Sequence, residues 1–238
     1  MVRLSRNTSG VAHMMWDINR DTHCKIETFM GSKIYTIDNV YKQPKTLARW
    51  LFSRKTAPVT NKDPFSLNGE HYDKRRMIYW ADQASQLVWL ASKLSQQTPN
   101  DYGALKTNVE TWLRSEKNDY KNFYWWPHID NGYNCIIFLN DNDDKLNGTN
   151  LYDPALKEEE WFKKSMDQPA HGSQPWVNKK KVKLVKYLEP KFNRMVLFDG
   201  AHFPHSPAVN DETYFCDSFT TEQWRGRRCN LCFFFHPE

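Results

Sequence analysis

Long apolar runs, paired cysteines and low-complexity stretches are all missing from this 238-residue chain, and each absence excludes something. No apolar run approaches the ~18 residues a bilayer crossing needs, so no transmembrane helix is expected. The five cysteines, Cys24, Cys135, Cys216, Cys229 and Cys232, are an odd number and cannot all pair. With no signal-peptide pattern ahead of them, they suggest free thiols in a reducing, cytoplasmic setting. Cys229 and Cys232 form a CxxC within an apolar run that reads as a strand. Residues three apart on a strand face opposite sides, which argues against a shared metal or redox role. Nine glycines and twelve prolines are not excessive, no repeat recurs, and no tract is of low complexity, which excludes a disordered chain.

What is present is a packed protein. Aromatic residues make up 15% of the chain. The length suits one domain with a sizeable core. The net charge of +5 is mild. It comes partly from Lys179, Lys180, Lys181, Lys183 and Lys186, and partly from Arg225, Arg227 and Arg228. Solvated faces explain these better than a nucleic-acid surface.

Periodicity divides the chain unevenly. Residues 33–37 alternate and read as a strand. Pro44 opens a helix carrying Leu47, Ala48, Leu51 and Phe52 at helical spacing. Residues 82–97 form the clearest helix, with Ala84, Leu87, Val88, Ala91 and Leu94 on one face. A second helix is expected over 105–113. Beyond residue 122 strands dominate, at 122–129, 134–139, 148–152, 182–188, 195–198 and 214–219, interrupted by a short charged helix at 157–166. Residues 55–76 are rich in turn formers and read as a loop able to cover an active-site mouth. His71 and Asp73 within that stretch form a His-x-Asp with no strand-rich sequence after it, so it ranks low.

Three motifs carry chemistry. Trp125-Trp126-Pro127-His128-Ile129-Asp130 contains a His-x-Asp whose two side chains would share one face of a strand. Residues 194–207 run from an apolar strand through Asp199-Gly200 to two histidines, His202 and His205. Two histidines and a carboxylate form the facial triad that leaves metal positions open. A strand starting at Arg227-Arg228 follows, and a guanidinium there is suited to gripping a carboxylate through two parallel hydrogen bonds.

Together these residues, with the strands at 134–139 and 148–152, resemble the core of the 2-oxoglutarate/Fe(II) oxygenases. The likeness is greatest to the prolyl-4-hydroxylase-like branch and its uncharacterised bacterial and phage members, and it covers about half the chain. The resemblance implies a mostly β fold with flanking helices around a double-stranded β-helix, a jelly-roll, cupin-like core. One domain, 1–238, is expected, with 1–121 supplying an N-terminal strand and supporting helices and 122–238 the core. Fe(II) would be held by His128, Asp130 and His205, with His202 competing for the distal place. Arg228 would anchor 2-oxoglutarate, Arg225 and Arg227 being alternatives, and Asn134 and Tyr124 would lie beside the cosubstrate. The implied activity is a hydroxylase that converts 2-oxoglutarate and O2 to succinate and CO2, ascorbate being an optional addition. Asp130 favours hydroxylation, since halogenating relatives lack the carboxylate. The substrate is open, with a peptide side chain or small molecule favoured over nucleic acid. The competing readings are a catalytically inactive β-helix binding module and an oxygenase acting on nucleic acid.

Overall fold

The computed structural model describes residues 15–52, 57–58, 72–96, 99–102, 105–113, 119–140, 148–167, 176–210, 212, 215–216 and 228–237. Its strands are β1 (Cys24–Phe29), β2 (Ser32–Ile37), β3 (Ala57–Pro58), β4 (Tyr72–Trp80), β5 (Pro99–Tyr102), β6 (Leu105–Leu113), β7 (Phe123–Trp125), β8 (Tyr133–Phe138), β9 (Thr149–Tyr152), β10 (Trp176–Asn178), β11 (Leu184–Leu188), β12 (Met195–Asp199), β13 (His205–Pro207), β14 (Phe215–Cys216) and β15 (Arg228–Pro237). Its helices are α1 (Pro44–Phe52), α2 (Ala81–Ser95) and α3 (Glu160–Asp167). No helix among the described residues is long and apolar enough to cross a membrane.

The protein is mostly β-strand, arranged in two layers. The large sheet runs β1-β2-β12-β8-β15-β6-β4-β3, with β14 added to β6 and β5 to β15. The smaller layer consists of β11-β9-β13 and the pair β10-β7. An isolated bridge between His128 and His205 ties these two groups together.

Alternation along the large sheet decides what each face meets. On β8, Cys135 and Ile137 join Met195 and Leu197 of β12 and Leu231, Phe233 and Phe235 of β15. That face is covered by Leu47 and Leu51 of α1 and by Leu87, Val88 and Ala91 of α2. The opposite face of β8 carries Phe138, which clusters with Val196 and Phe198 of β12 and with Leu151 of β9 and Leu188 of β11. This second cluster is the filling between the two layers. Each fully buried aliphatic or phenyl group contributes about 1.5–3 kcal/mol relative to exposure. Met30-Gly31, both at positive φ, closes the β1–β2 hairpin in the tight turn whose twist matches the strands.

Several expectations change. Residues 105–113 are strand β6, not a helix. The stretch Leu-Lys-Thr-Asn-Val-Glu-Thr-Trp-Leu places β-branched residues at alternate positions, and pairing with β15 and β4 on either side fixes the extended form. The part of the expected mouth loop at 72–76 belongs to β4, a nine-residue strand paired to β6, which places Asp73 in a sheet. Residues 59–71 of that loop, His71 among them, lie outside the described residues. The strand expected over 122–129 ends at Trp125, because Pro127 has no N–H to give a ladder. The charged helix near 157–166 is a 3-10 turn, Pro154–Glu158, followed by α3. Of the strand expected over 214–219, Phe215–Cys216 is seen and 217–219 lie outside the described residues.

Candidate metal centre

Two chain segments are tied to each other before any ligand is considered. His128 donates its backbone N–H to the His205 carbonyl at 2.9 Å, and His205 returns the bond to His128 at 2.8 Å. In such a mutual pair the two side chains stand on the same face, and the rings lie 4.5 Å apart. The Asp199 carboxylate accepts from the N–H groups of Ala201 and His202, bending the chain out of β12 toward β13. The Gly200 carbonyl then accepts from the Asp130 N–H at 3.2 Å, and the Gly200 N–H reaches the Gly132 carbonyl at 2.9 Å. Gly132 sits at φ +84°, and a Cβ there would meet the Phe235 carbonyl oxygen at 2.6 Å, so this turn requires glycine.

The result is a cluster of three metal-capable groups, His128, Asp130 and His205, whose ligand atoms all lie within 4.8 Å of one another. His205 Nε2 is 3.1 Å from Asp130 Oδ2, and His128 Nε2 is 3.9 Å from the same oxygen. His128 Nδ1 lies 3.1 Å from the Trp126 carbonyl oxygen and His205 Nδ1 lies 3.0 Å from that of Phe203. A carbonyl only accepts, so each Nδ1 carries a proton; once Nε2 is deprotonated, as a metal ligand must be, each ring aims a lone pair at the point that Asp130 faces. Three electron-pair donors thus face one point, an arrangement that suits a cation. Burial alone would raise the Asp130 carboxyl. With the rings protonated, the hydrogen bond from His205, the charges of His128 and His205 and the Asn134 amide outweigh it, and hold the group well below the usual carboxylate range. The His205 side chain is 4% exposed while those of His128 and Asp130 are 29% and 28% exposed, so the cluster opens on the His128–Asp130 side.

His202 stands elsewhere. Its Nε2 lies 2.9 Å from the Met30 carbonyl oxygen, and its ring packs edge-on to Phe203. Asn134, on β8, places Nδ2 2.7 Å from Asp130 Oδ2 and 2.7 Å from His205 Nε2, so it touches the candidate ligands themselves. Gly200 makes room for it, since a Cβ there would come within 2.7 Å of Asn134 Oδ1. Tyr124 is not on the metal face. Its ring packs against Tyr152 at 5.1 Å, in a cluster with Val177, Leu156 and Phe162 on the far side of the smaller layer. The parity that would have aligned it with His128 is broken by the irregular Trp126-Pro127 step.

Arg228 begins β15 inside the sandwich, its side chain 5% exposed. Nη1 meets Glu110 Oε2 at 2.5 Å, and Nη2 reaches the Gly148 carbonyl and Thr149 Oγ1, both at 3.4 Å. Thr149 is two residues along β9 from Leu151, which pairs with His205. That separation is about 7 Å at the usual strand rise. Asn230, two residues on from Arg228, has an Nδ2 with no hydrogen-bond partner among the described residues, as does Oδ1 of the opposite Asn108. Glu110 and Asn108 lie in the stretch whose sequence suggests a helix, which hides their place opposite Arg228 and Asn230. The alternating Thr107, Val109 and Thr111 are the signal that would have found them. Arg225 and Arg227 lie outside the described residues.

No family model matches the chain, and no curated protein matches it. Among solved structures it is similar to a Pseudomonas putida prolyl-4-hydroxylase, at 11% identity and a TM-score of 0.39 over 82% of this chain and 84% of that one. It is also similar to the Fe(II)/(alpha)ketoglutarate-dependent dioxygenase TqaL, at 10% identity and a TM-score of 0.35 over 82% of this chain and 87% of that one. Likenesses this distant carry no argument about activity, which rests on the site.

Proposed function

We propose that this protein is an Fe(II)- and 2-oxoglutarate-dependent dioxygenase that hydroxylates its substrate. The observation that carries the reading is the convergence of His128 Nε2, Asp130 Oδ2 and His205 Nε2, with both Nδ1 atoms committed to backbone carbonyls. Nitrogen and carboxylate donors of this kind suit Fe(II), and three of them leave octahedral positions open. In this reading β6, β15, β8 and β12 face β7, β13, β9 and β11 as the two halves of a double-stranded β-helix. When bound, the iron would supply the redox chemistry by which O2, 2-oxoglutarate and a substrate C–H bond become succinate, CO2 and the hydroxylated substrate.

The chain's own residues hold and orient. The buried His205 fixes the inner side of the centre, while His128 and Asp130 border the opening through which ligands enter. Arg228 lies on the inner face, about two strand steps from the His205 level, a spacing compatible with a five-carbon dicarboxylate held at both ends. Asn230 Nδ2, which has no partner among the described residues, adds a second donor for a carboxylate beside it. One feature departs from a simple anchor, because Glu110 already occupies one edge of the guanidinium. We assign the Nη2 edge to the cosubstrate and the Nη1 edge to Glu110, which keeps the arginine oriented. Phe138, Leu151 and Phe198 cluster between the two layers, apolar surroundings that disfavour water beside the site. The substrate favoured is a peptide side chain or a small molecule.

The test is anaerobic binding followed by turnover. The protein should bind 2-oxoglutarate in the presence of Mn(II) and not in its absence. Arg228→Ala should weaken that binding while leaving Mn(II) affinity within about threefold. Equal 2-oxoglutarate binding with and without metal would remove the basis for the reading.

A further inference from the structure

We infer that Asn134 is a fourth donor to the metal, closing the resting centre through its Oδ1. The inference rests on the metal-centre reading above. The three head atoms involved form a small triangle, with His205 Nε2 and Asp130 Oδ2 3.1 Å apart and the Asn134 amide nitrogen 2.7 Å from each. Neighbouring ligand atoms of an octahedral ion with bonds of about 2.1 Å are separated by about 3 Å. The Asn134 amide therefore already occupies a ligand's place relative to the other two donors.

In the structure the amide N–H2 group faces these acceptors and acts as a stand-in for a cation, giving one hydrogen to the carboxylate and one to the imidazole. That orientation is incompatible with a bound ion, because the positive end of the amide dipole would point at it and the lone pairs would be taken. The other arm of the amide is unsatisfied. Asn134 Oδ1 is buried and has no hydrogen-bond partner among the described residues. An acceptor left buried in this way is destabilising. A half-turn about the Cβ–Cγ bond exchanges the two arms almost without change of shape, and that torsion is soft and nearly two-fold. The turned amide directs its oxygen at the ion, and the absent Cβ of Gly200 leaves space on the other side. Four protein donors leave two octahedral positions, enough for one bidentate chelator. Entry of a further small ligand then requires Asn134 to withdraw, so this side chain guards the centre until the chelator is seated.

The experiment uses the full chain and Co(II) alone as the probe, with affinity read from absorbance titration and folding from thermal melts. Asn134→Ala should raise the Co(II) dissociation constant ten- to a hundred-fold. Asn134→Asp is the deciding variant. It presents an oxygen in any orientation, so an Oδ1 donor predicts affinity at least equal to that of the unmodified chain. An asparagine that only donates hydrogen bonds to Asp130 predicts a loss as large as that of Asn134→Ala, because a carboxylate has no hydrogen to give. Affinity of Asn134→Ala within twofold of the unmodified chain, or of Asn134→Asp as weak as Asn134→Ala, overturns the inference and leaves the metal centre standing. Absence of Co(II) binding to the unmodified chain overturns both.

Discussion

Removing Glu110 should destabilise the protein more than its size suggests. Its side chain is 3% exposed and that of Arg228 is 5% exposed, and they meet at 2.5 Å directly across the β6–β15 ladder. Two buried charges of this kind stabilise little as a pair, because the desolvation of each offsets their attraction. Loss of one partner is different, since the survivor stays buried without its counter-charge. Measured cases of that kind run to about 3–5 kcal/mol. For a chain of this length 1 kcal/mol shifts the melting temperature by roughly 2–4 °C. Glu110→Ala should therefore lower the melting temperature by about 6–20 °C in differential scanning calorimetry. Glu110→Leu combined with Arg228→Met removes both charges and keeps the volume, and it should recover most of the loss. A Glu110→Ala melt within about 2 °C of the unmodified protein, or a double variant no more stable than the single one, would refute the reasoning.

Gly200→Ala should weaken Mn(II) binding about ten-fold or more, because the added Cβ meets Asn134 Oδ1 at 2.7 Å and displaces an amide bonded to two ligands; an unchanged titration by electron paramagnetic resonance would count against it. Asp38 is bonded by Arg194 and Lys191, which hold its carboxyl at about 2 against an ordinary 3.8. A depressed folded value means the stabilisation is complete above pH 3.8 and is lost as pH falls through about 2. With Asp38 35% exposed, solvent screening leaves it at roughly 1 kcal/mol, so melts of the unmodified protein and Asp38→Asn should differ at pH 6 and converge near pH 2. His205→Ala should abolish Mn(II) binding while His202→Ala leaves it within about twofold, as read by calorimetric titration, because of these two histidines it is His205 that faces Asp130.

The candidate metal cluster was legible because its signals are local. A His-x-Asp beside a proline, and a histidine after an apolar strand and an Asp-Gly turn, can be read without knowing the fold. Helix α2 was equally clear, since its apolar face repeats over several turns. The environment of Arg228 was not legible, because its partner Glu110 lies 118 residues away on a strand whose weak alternation resembled a helix. The packing of Tyr124 against Tyr152 was hidden for a related reason. Counting alternate residues from His128 assumes an unbroken strand, and the Trp126-Pro127 step breaks it. Asn134 was singled out by position, but its contact with Asp130 and His205 depends on Gly200, a relation between β8 and the end of β12 that no spacing expresses.

The central claim meets its most direct test in a single assay, release of succinate from 2-oxoglutarate in the presence of Fe(II) and O2. The unmodified protein should form succinate slowly even without its substrate, the activity should vanish when iron is chelated, and Asp130→Ala should reduce it at least a hundred-fold. Iron-independent succinate release, or release that survives Asp130→Ala undiminished, would contradict the account.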